Sequence, residues 1–306
     1  MRVAITPFVK AAMLGKLHTV ESFLAKGLHL NIRCSPDETS ALDAAALMGH
    51  REIVTALIEH TSTGMSVSAN DADSRGKTAL YKAVSHGRAS PIMDLLLAAG
   101  LDMDARTDQG RTLLHAAAYG PEPRDSTVTA LLLDRGAATD AIDSMGRSPL
   151  YFAAQYGHLD VVCTLLRAGA DATLRGKEEE EADATPGTQE RHGPVGKAPL
   201  DVAAFFGRVQ IARALIQHGV ELDVTSHVGF TALHYAAVDG AAEAVDILLR
   251  WGADECCVNS EGKTAAEELY WEIVYPRAYP DLDRIPKLLV NAPTDRIWRR
   301  RGMVLV

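Results

Sequence analysis

Apolar positions in this chain recur in short blocks at helical spacing. Val161, Val162, Leu165 and Leu166 form one such block, and Ala244, Val245, Leu248 and Leu249 form another in the same order; each set lies along one face of a helix. Each block follows a shorter segment built on a small-residue pair, Ala153 and Ala154 or Ala236 and Ala237. The pattern predicts two short antiparallel helices per unit, with the small pair letting neighbouring helices approach closely. Gly157, Gly207 and Gly240 separate the two helices and permit a left-handed cap. Ser148 or Thr231 supplies an oxygen for the first helix's exposed amides, and Pro149 or Pro199 is pre-set for a first helical turn. An Asp-x-x-Gly turn, as from Asp143 to Gly146, leads into the next unit.

The units start near residues 6, 40, 78, 112, 148, 198, 231 and 264, about 33 residues apart with insertions. Their openings include Thr112, Leu113, Leu114 and His115; Ser148, Pro149, Leu150 and Tyr151; and Thr231, Ala232, Leu233 and His234. Gly49-His50 and Gly157-His158 follow the first helix, and Gly252, Ala253 and Asp254 close the second. On these residues the sequence resembles the ankyrin repeat family over about residues 4–262, with a weaker eighth unit from Lys263. No unit carries the whole Thr-Pro-Leu-His opening, but the degenerate copies recur in register. The resemblance implies an all-α ankyrin-repeat solenoid of seven to eight helix-turn-helix units with short turn or hairpin fingers, spanning 1–272.

Two segments break the period. Residues 177–196 carry Glu178, Glu179, Glu180, Glu181, Asp183 and Glu190 against Lys177 and Arg191, with no apolar pattern; a flexible acidic insertion is expected there. Thr61 to Asn70 is rich in Ser and Thr and reads as a longer finger or loop. Over 273–306 the repeat fades, and a C-terminal capping helix from about Asp283 to Val290 and a basic tail are expected.

Composition narrows the functional classes. The chain has 306 residues, a formal net charge of −9 and 47% hydrophobic residues, so collagen-like and wholly disordered readings are excluded. The acidic balance argues against nucleic acid, which requires cations to neutralise phosphates. No apolar run is long enough for a membrane span, and Met1 to Lys16 does not read as a signal peptide. A monomer in the cytoplasm is expected, with the nucleus as the alternative. Cys34, Cys163, Cys256 and Cys257 have neither disulfide-framework nor zinc spacing.

Several fragments look chemical. Asp71, Asp73 and Gly76 begin like a calcium loop, but Arg75 and Lys82 stand where ligands are required. Gly76-Lys77-Thr78 and Gly262-Lys263-Thr264 lack the earlier glycine of a phosphate loop. The eleven histidines follow the repeat register, and no nucleophile has a base at motif spacing. No enzymatic activity, metal or cofactor is expected.

The resemblance implies protein recognition on a concave face of turn tips and first helices. The variable positions around the small pair are then the candidate partner-binding residues: Lys82, Tyr119, Phe152, Gln155, Tyr156, Phe205, Phe206, Tyr235 and Asp239. Packing between repeats is the competing reading of these rings, since Phe205 and Phe206, about 100° apart on a helix, cannot both point outward. Trp298, Arg299, Arg300 and Arg301 are a second candidate docking segment, with a nuclear-import signal or a solvated end as alternatives. The expected function is a non-enzymatic scaffold. An adaptor presenting a client to a ubiquitin ligase or kinase is the alternative, and the regulatory part of a truncated enzyme or transporter is a third.

Overall fold

A computed structural model describes residues 7–27, 33, 39–61, 70–87, 92–100, 102–119, 126–177, 196–268 and 284–290. The acidic insertion, except Lys177 and Gly196, lies outside these residues, as do most of Thr61 to Asn70 and the tail residues Trp298, Arg299, Arg300 and Arg301. The chain forms two compact modules, Met1–Ser144 and Met145–Val306. The N-terminal module holds α1 (Pro7–Met13), α2 (Leu17–Ala25), α3 (Ala41–Met48), α4 (Arg51–Thr61), α5 (Ala79–Ser85), α6 (Met93–Ala98), α7 (Leu113–Ala118) and α8 (Ser126–Asp134). The C-terminal module holds α9 (Pro149–Tyr156), α10 (Leu159–Arg167), α11 (Pro199–Phe205), α12 (Val209–Gln217), α13 (Ala232–Val238) and α14 (Ala242–Trp251). Residues 265–268 and 284–290 are also helical, and β-pairing among the described residues is confined to isolated bridges such as Val258 with Thr264.

Local chemistry explains where the first helices begin. Ser40 Oγ accepts the Asp43 amide at 3.1 Å while the Ser40 amide donates to Asp43 Oδ2 at 3.0 Å, a reciprocal capping box. Thr78 and Ser148 accept from the amides of Tyr81 and Tyr151. Histidine performs the same task in other repeats: the Thr112 and Thr231 amides donate to Nδ1 of His115 and His234. Ala198 has no oxygen to offer, and its amide is taken instead by Asp201 Oδ2 at 2.9 Å.

Packing then sorts the helices into two layers within each module. In the N-terminal module the first helices stack in the order α1, α3, α5, α7, and α2 packs on α4. In the C-terminal module α9, α11 and α13 form one row and α10, α12 and α14 the other. Within the C-terminal module α11 has α9 on one side and α13 on the other, and the small pairs Ala153, Ala154, Ala203, Ala204, Ala236 and Ala237 are all buried. A second helix is buried along one stripe only, as with Ile211, Ala212, Leu215 and Ile216 of α12.

The turns between repeats are tied to one another by backbone. The Asp108 amide donates to the Arg75 carbonyl at 3.1 Å, Ser144 to Gln109 at 2.8 Å, and Ser260 to Val228 at 3.0 Å. Glycine is required where these strands of backbone meet. Gly229 has φ +76°, and a Cβ there would stand 2.6 Å from the Ser260 nitrogen. Gly219 also has a positive φ, +96°, but a Cβ there would meet nothing within 4 Å. Gly219→Ala should therefore cost only the left-handed backbone strain, about 1–2 kcal/mol. Gly229→Ala should cost more, because the steric overlap is with main chain that cannot swing aside. Equilibrium urea denaturation of the two variants checks the order.

Candidate functional site

In the aligned repeat sequences a column of basic residues stands one position before the first-helix cap in five of the repeats. In the N-terminal module Lys77 Nζ lies 5.8 Å from the Tyr81 ring centroid, and the Arg111 guanidinium lies 5.0 Å from that of Tyr119. Arg111 also approaches Asp143 at 3.6 Å. In the C-terminal module Arg147 stands over the Phe152 ring at 4.8 Å, and Lys263 pairs with Glu261 at 2.6 Å. These four cations are all half-buried.

Lys197 occupies the same position in the repeat that begins with α11, but in different surroundings. It is 1% exposed. Its Nζ stands 3.7 Å from the centroid of the Phe205 ring and 4.1 Å from that of Tyr235, within the range where an ammonium is held by electron-rich ring faces. Phe230 lies 5.3 Å from Tyr235 and stacks on His234 at the same distance. Together with Val228 and Val238 these rings form a small apolar cluster around the ends of α11 and α13. Burial pulls the Lys197 ammonium down to about 7, against the opposing pull of Asp201 and Asp239. Burial also raises the Asp201 carboxyl, which Arg175 counters through a 2.8 Å ion pair. His234 is held below its ordinary value, first by burial. Its Nδ1 accepts the Thr231 amide, so Nε2 carries the proton and donates to the Lys263 carbonyl at 3.2 Å.

The structure divides the sequence-derived candidates. Phe152, 1% exposed, and Tyr235, 3% exposed, belong to the interior and cannot meet a partner directly. Both stand immediately before the small pair, on the side of the first helix that packs inward. Lys82 is also buried, with Nζ 3.1 Å from Asp43 and 3.0 Å from Asp73; its charge ties α5 to the preceding repeat and turn. The remaining candidates keep solvent access. Gln155, Tyr156, Phe205, Phe206 and Asp239 are half-buried, and Tyr119 is exposed. Phe205 and Phe206 meet edge to face at 5.0 Å and 90°, and Phe205 presents its ring to Lys197. The Arg208 side chain spans from the α12 N-terminus to the Gln155 carbonyl at 3.4 Å. In the N-terminal module Met13, Leu14 and Met48 are exposed at the ends of α1 and α3. Sequence reasoning passed over them because it sought aromatic rings. It passed over Lys197 too, although the basic column that contains Lys197 is visible in the repeat frame.

One turn groups potential metal ligands: ligand atoms of Asp254, Glu255 and Cys256 lie within 4.8 Å of one another. Asp254 Oδ1 there accepts the Cys256 amide at 3.1 Å, the geometry of a repeat-junction turn. No helix among the described residues is long and apolar enough to cross a membrane.

With paired helices, capped first helices and tied turns established, the chain can be placed among known proteins. The family model for ankyrin repeats matches residues 8–106, 89–176 and 180–265, and the chain belongs to the ankyrin repeat family. It is 31% identical to human ankyrin repeat domain-containing protein 63 over 53% of this chain and 40% of that protein. It is 29% identical to the nuclear factor NF-kappa-B p105 subunit of Gallus gallus over 65% of this chain and 20% of that protein. It is 28% identical to human transient receptor potential cation channel subfamily A member 1, over 69% and 17% respectively. The chain thus spans 40% or less of the length of each of these relatives. Ankyrin repeats are generally protein–protein interaction modules.

Two consequences of this arrangement are measurable. Phe152→Ala should cost about 3–5 kcal/mol as a buried aromatic truncation, whereas Phe206→Ala should cost well under half of that and leave the helical circular dichroism unchanged. For Lys197, the ammonium's value in the folded chain, about 7, lies below the ordinary 10.5 of an unfolded lysine. The unfolded chain therefore binds the extra proton between these limits, and stability rises with pH across that window by up to about 1.4 kcal/mol per pH unit. Lys197→Met should be the more stable protein near neutrality, and its advantage should shrink towards pH 10. Urea titrations of both proteins at several pH values read the difference, which isolates this group from the other titrating residues.

Proposed function

We propose that the chain is a non-enzymatic protein-interaction scaffold, and that its C-terminal module docks a partner over the ends of α9, α11 and α13. The observation that carries this reading is the distribution of exposure along the first helices. Their bodies are buried throughout, yet large rings keep solvent access at two consecutive helix ends, Tyr156 after Gln155 and Phe206 after Phe205, and the smaller Asp239 does so at the next. Rings of this size anchor interfaces because they bury much area for little loss of rotamer freedom. The N-terminal module offers its own apolar helix ends in Met13, Leu14 and Met48, with Tyr119 beyond them in the repeat order. Membership of a family of interaction modules supports the same reading.

The test is affinity capture from native lysate with the full chain and with a Tyr156→Ala/Phe206→Ala variant, read by mass spectrometry. A set of proteins retained by the parent and reduced at least about tenfold by the folded variant is expected. Equal capture by both proteins would remove these helix ends from the binding face.

A further inference from the structure

The residue just before the glycine between the two helices of a repeat is Leu14 in the first repeat, Met48 in the second and His86 in the third. Leu14 is 55% exposed, and Met13 and Met48 are exposed as well. A single exposed apolar side chain is ordinary, but these three stand at adjoining helix ends. α1 and α3 stack side by side, and the His50 ring joins their ends. Its Nε2 donates to the Met13 carbonyl at 3.1 Å, and a Cβ on Gly15 would stand 2.9 Å from its Cε1. Met48 lies two residues before His50, across the left-handed turn at Gly49.

The surroundings of this apolar patch are basic. The Leu14 amide donates to the Lys10 carbonyl at 3.0 Å, so Lys10 and Leu14 stand one turn apart on the same helix face. Lys16 follows the patch as the N-cap residue of α2. Both lysines are exposed, and neither has a carboxylate within ion-pair distance among the described residues. The remaining charges at these helix ends are balanced or turned inward. His18 faces Glu21 at 3.9 Å, Arg51 and Glu52 open α4 with opposite signs, and Asp43 is buried against Lys82 at 3.1 Å. The negative end of α1 is blunted, because the carbonyls of Lys10, Ala11, Ala12 and Met13 each accept a hydrogen bond. Along residues 7–27 Lys10, Lys16 and Lys26 stand against Glu21 alone, in a chain whose formal net charge is −9.

We propose that the ends of α1 and α3 bind an acidic amphipathic segment of a partner protein, its apolar side chains on Met13, Leu14 and Met48 and its carboxylates paired with Lys10 and Lys16. Charge complementarity fixes the sign, since a basic segment would meet like charge at both lysines. Methionine is unbranched and adjusts to an incoming side chain, which suits recognition of a pattern of apolar and acidic groups. The proposal rests on the reading of the chain as an interaction module but not on the C-terminal docking face. It gives the N-terminal module a ligand class of its own.

A random hexadecapeptide phage library is selected on the full chain after depletion on a Leu14→Ser/Met48→Ser variant, so that recovered peptides need these helix ends. The peptides are synthesised and their affinities measured by fluorescence anisotropy. They should carry Asp or Glu in excess, with large apolar residues at helical spacing. Lys10→Glu/Lys16→Glu should weaken their binding about tenfold. Raising salt from about 0.1 M to about 1 M, which shortens the Debye length from about 10 Å to about 3 Å, should weaken it severalfold. Tyr156→Ala/Phe206→Ala should leave it unchanged, which separates this surface from the C-terminal face. Circular dichroism and urea midpoints check that each variant is folded. If the double serine variant is destabilised, Leu14→Ser alone, at the most exposed of the three positions, serves for the depletion and carries the test.

Failure to recover any peptide that the serine variant does not also hold would overturn the docking surface. Peptides that need Leu14 and Met48 but are neutral or basic, or are indifferent to Lys10→Glu/Lys16→Glu, would overturn the acidic preference. Self-association of the full chain in analytical ultracentrifugation, lost in the serine variant, would make a second copy of this chain the occupant and overturn the assignment to a partner. Lysate capture at Tyr156 and Phe206 is read separately, so failure here and failure of the C-terminal docking face are distinguishable.

Discussion

A first helix with a neighbour on each side has almost no free surface, and that constraint governs the rest of the structure. α11 packs on α9 and on α13 as well as on its own partner α12. Only small side chains fit such closeness, hence Ala203 and Ala204 at its centre. Polar groups at its start must be satisfied from within the chain, because water cannot reach them. Asp201, 3% exposed, meets that demand by accepting the Ala198 amide and the Arg175 guanidinium. What keeps solvent access is the helix end, where Phe205 and Phe206 emerge from the packing. The docking face proposed above is the part of the repeat that the stacking constraint leaves open.

Charge inside the repeats is handled in two ways. Lys82 in the N-terminal module lies between two carboxylates, at 3.1 and 3.0 Å. Such a buried arrangement adds little net stability, because desolvation offsets the attraction, but removing one partner would strand the others. It therefore acts mainly to fix the register of α5 against the preceding repeat. Lys197 in the C-terminal module is lodged against two rings, with Asp201 already engaged by Arg175. Burial holds the Lys197 ammonium down to about 7, and the opposing pull of Asp201 and Asp239 does not offset it.

The fold was legible in the sequence because its determinants are local. Ser40 and Asp43, or Thr231 and His234, cap a helix three residues apart, and the apolar stripe of α10 is complete within Val161, Val162, Leu165 and Leu166. The site was legible only in part. Phe152 and Phe206 both flank a small pair in the repeat frame, and nothing local says that one is interior and the other open. That distinction depends on which face the neighbouring repeat covers. Lys197 was harder still, because its enclosure is built by Phe205 from its own repeat and Tyr235 from the next. An insertion immediately upstream further disguises its place in the basic column.

The basic column shows how one repeated position acquires a special environment without any change in its own chemistry. Lys77, Arg147 and Lys263 precede their caps as Lys197 does, and each stays half-buried. Around Lys197 the neighbours differ: Phe205 ends its first helix where Gln155 stands in the preceding repeat, and Tyr235 takes the place of Val202 in the following one. Phe230 replaces the column cation of that following repeat and packs on Tyr235 from behind. Three aromatic residues thus enclose a lysine at a position that is otherwise half-buried, while turns and small pairs stay intact. A buried ammonium costs stability that a methionine of similar length would not. That cost falls on one repeat, beside the most aromatic helix end in the C-terminal module, and coincides there with the half-buried carboxylate of Asp239.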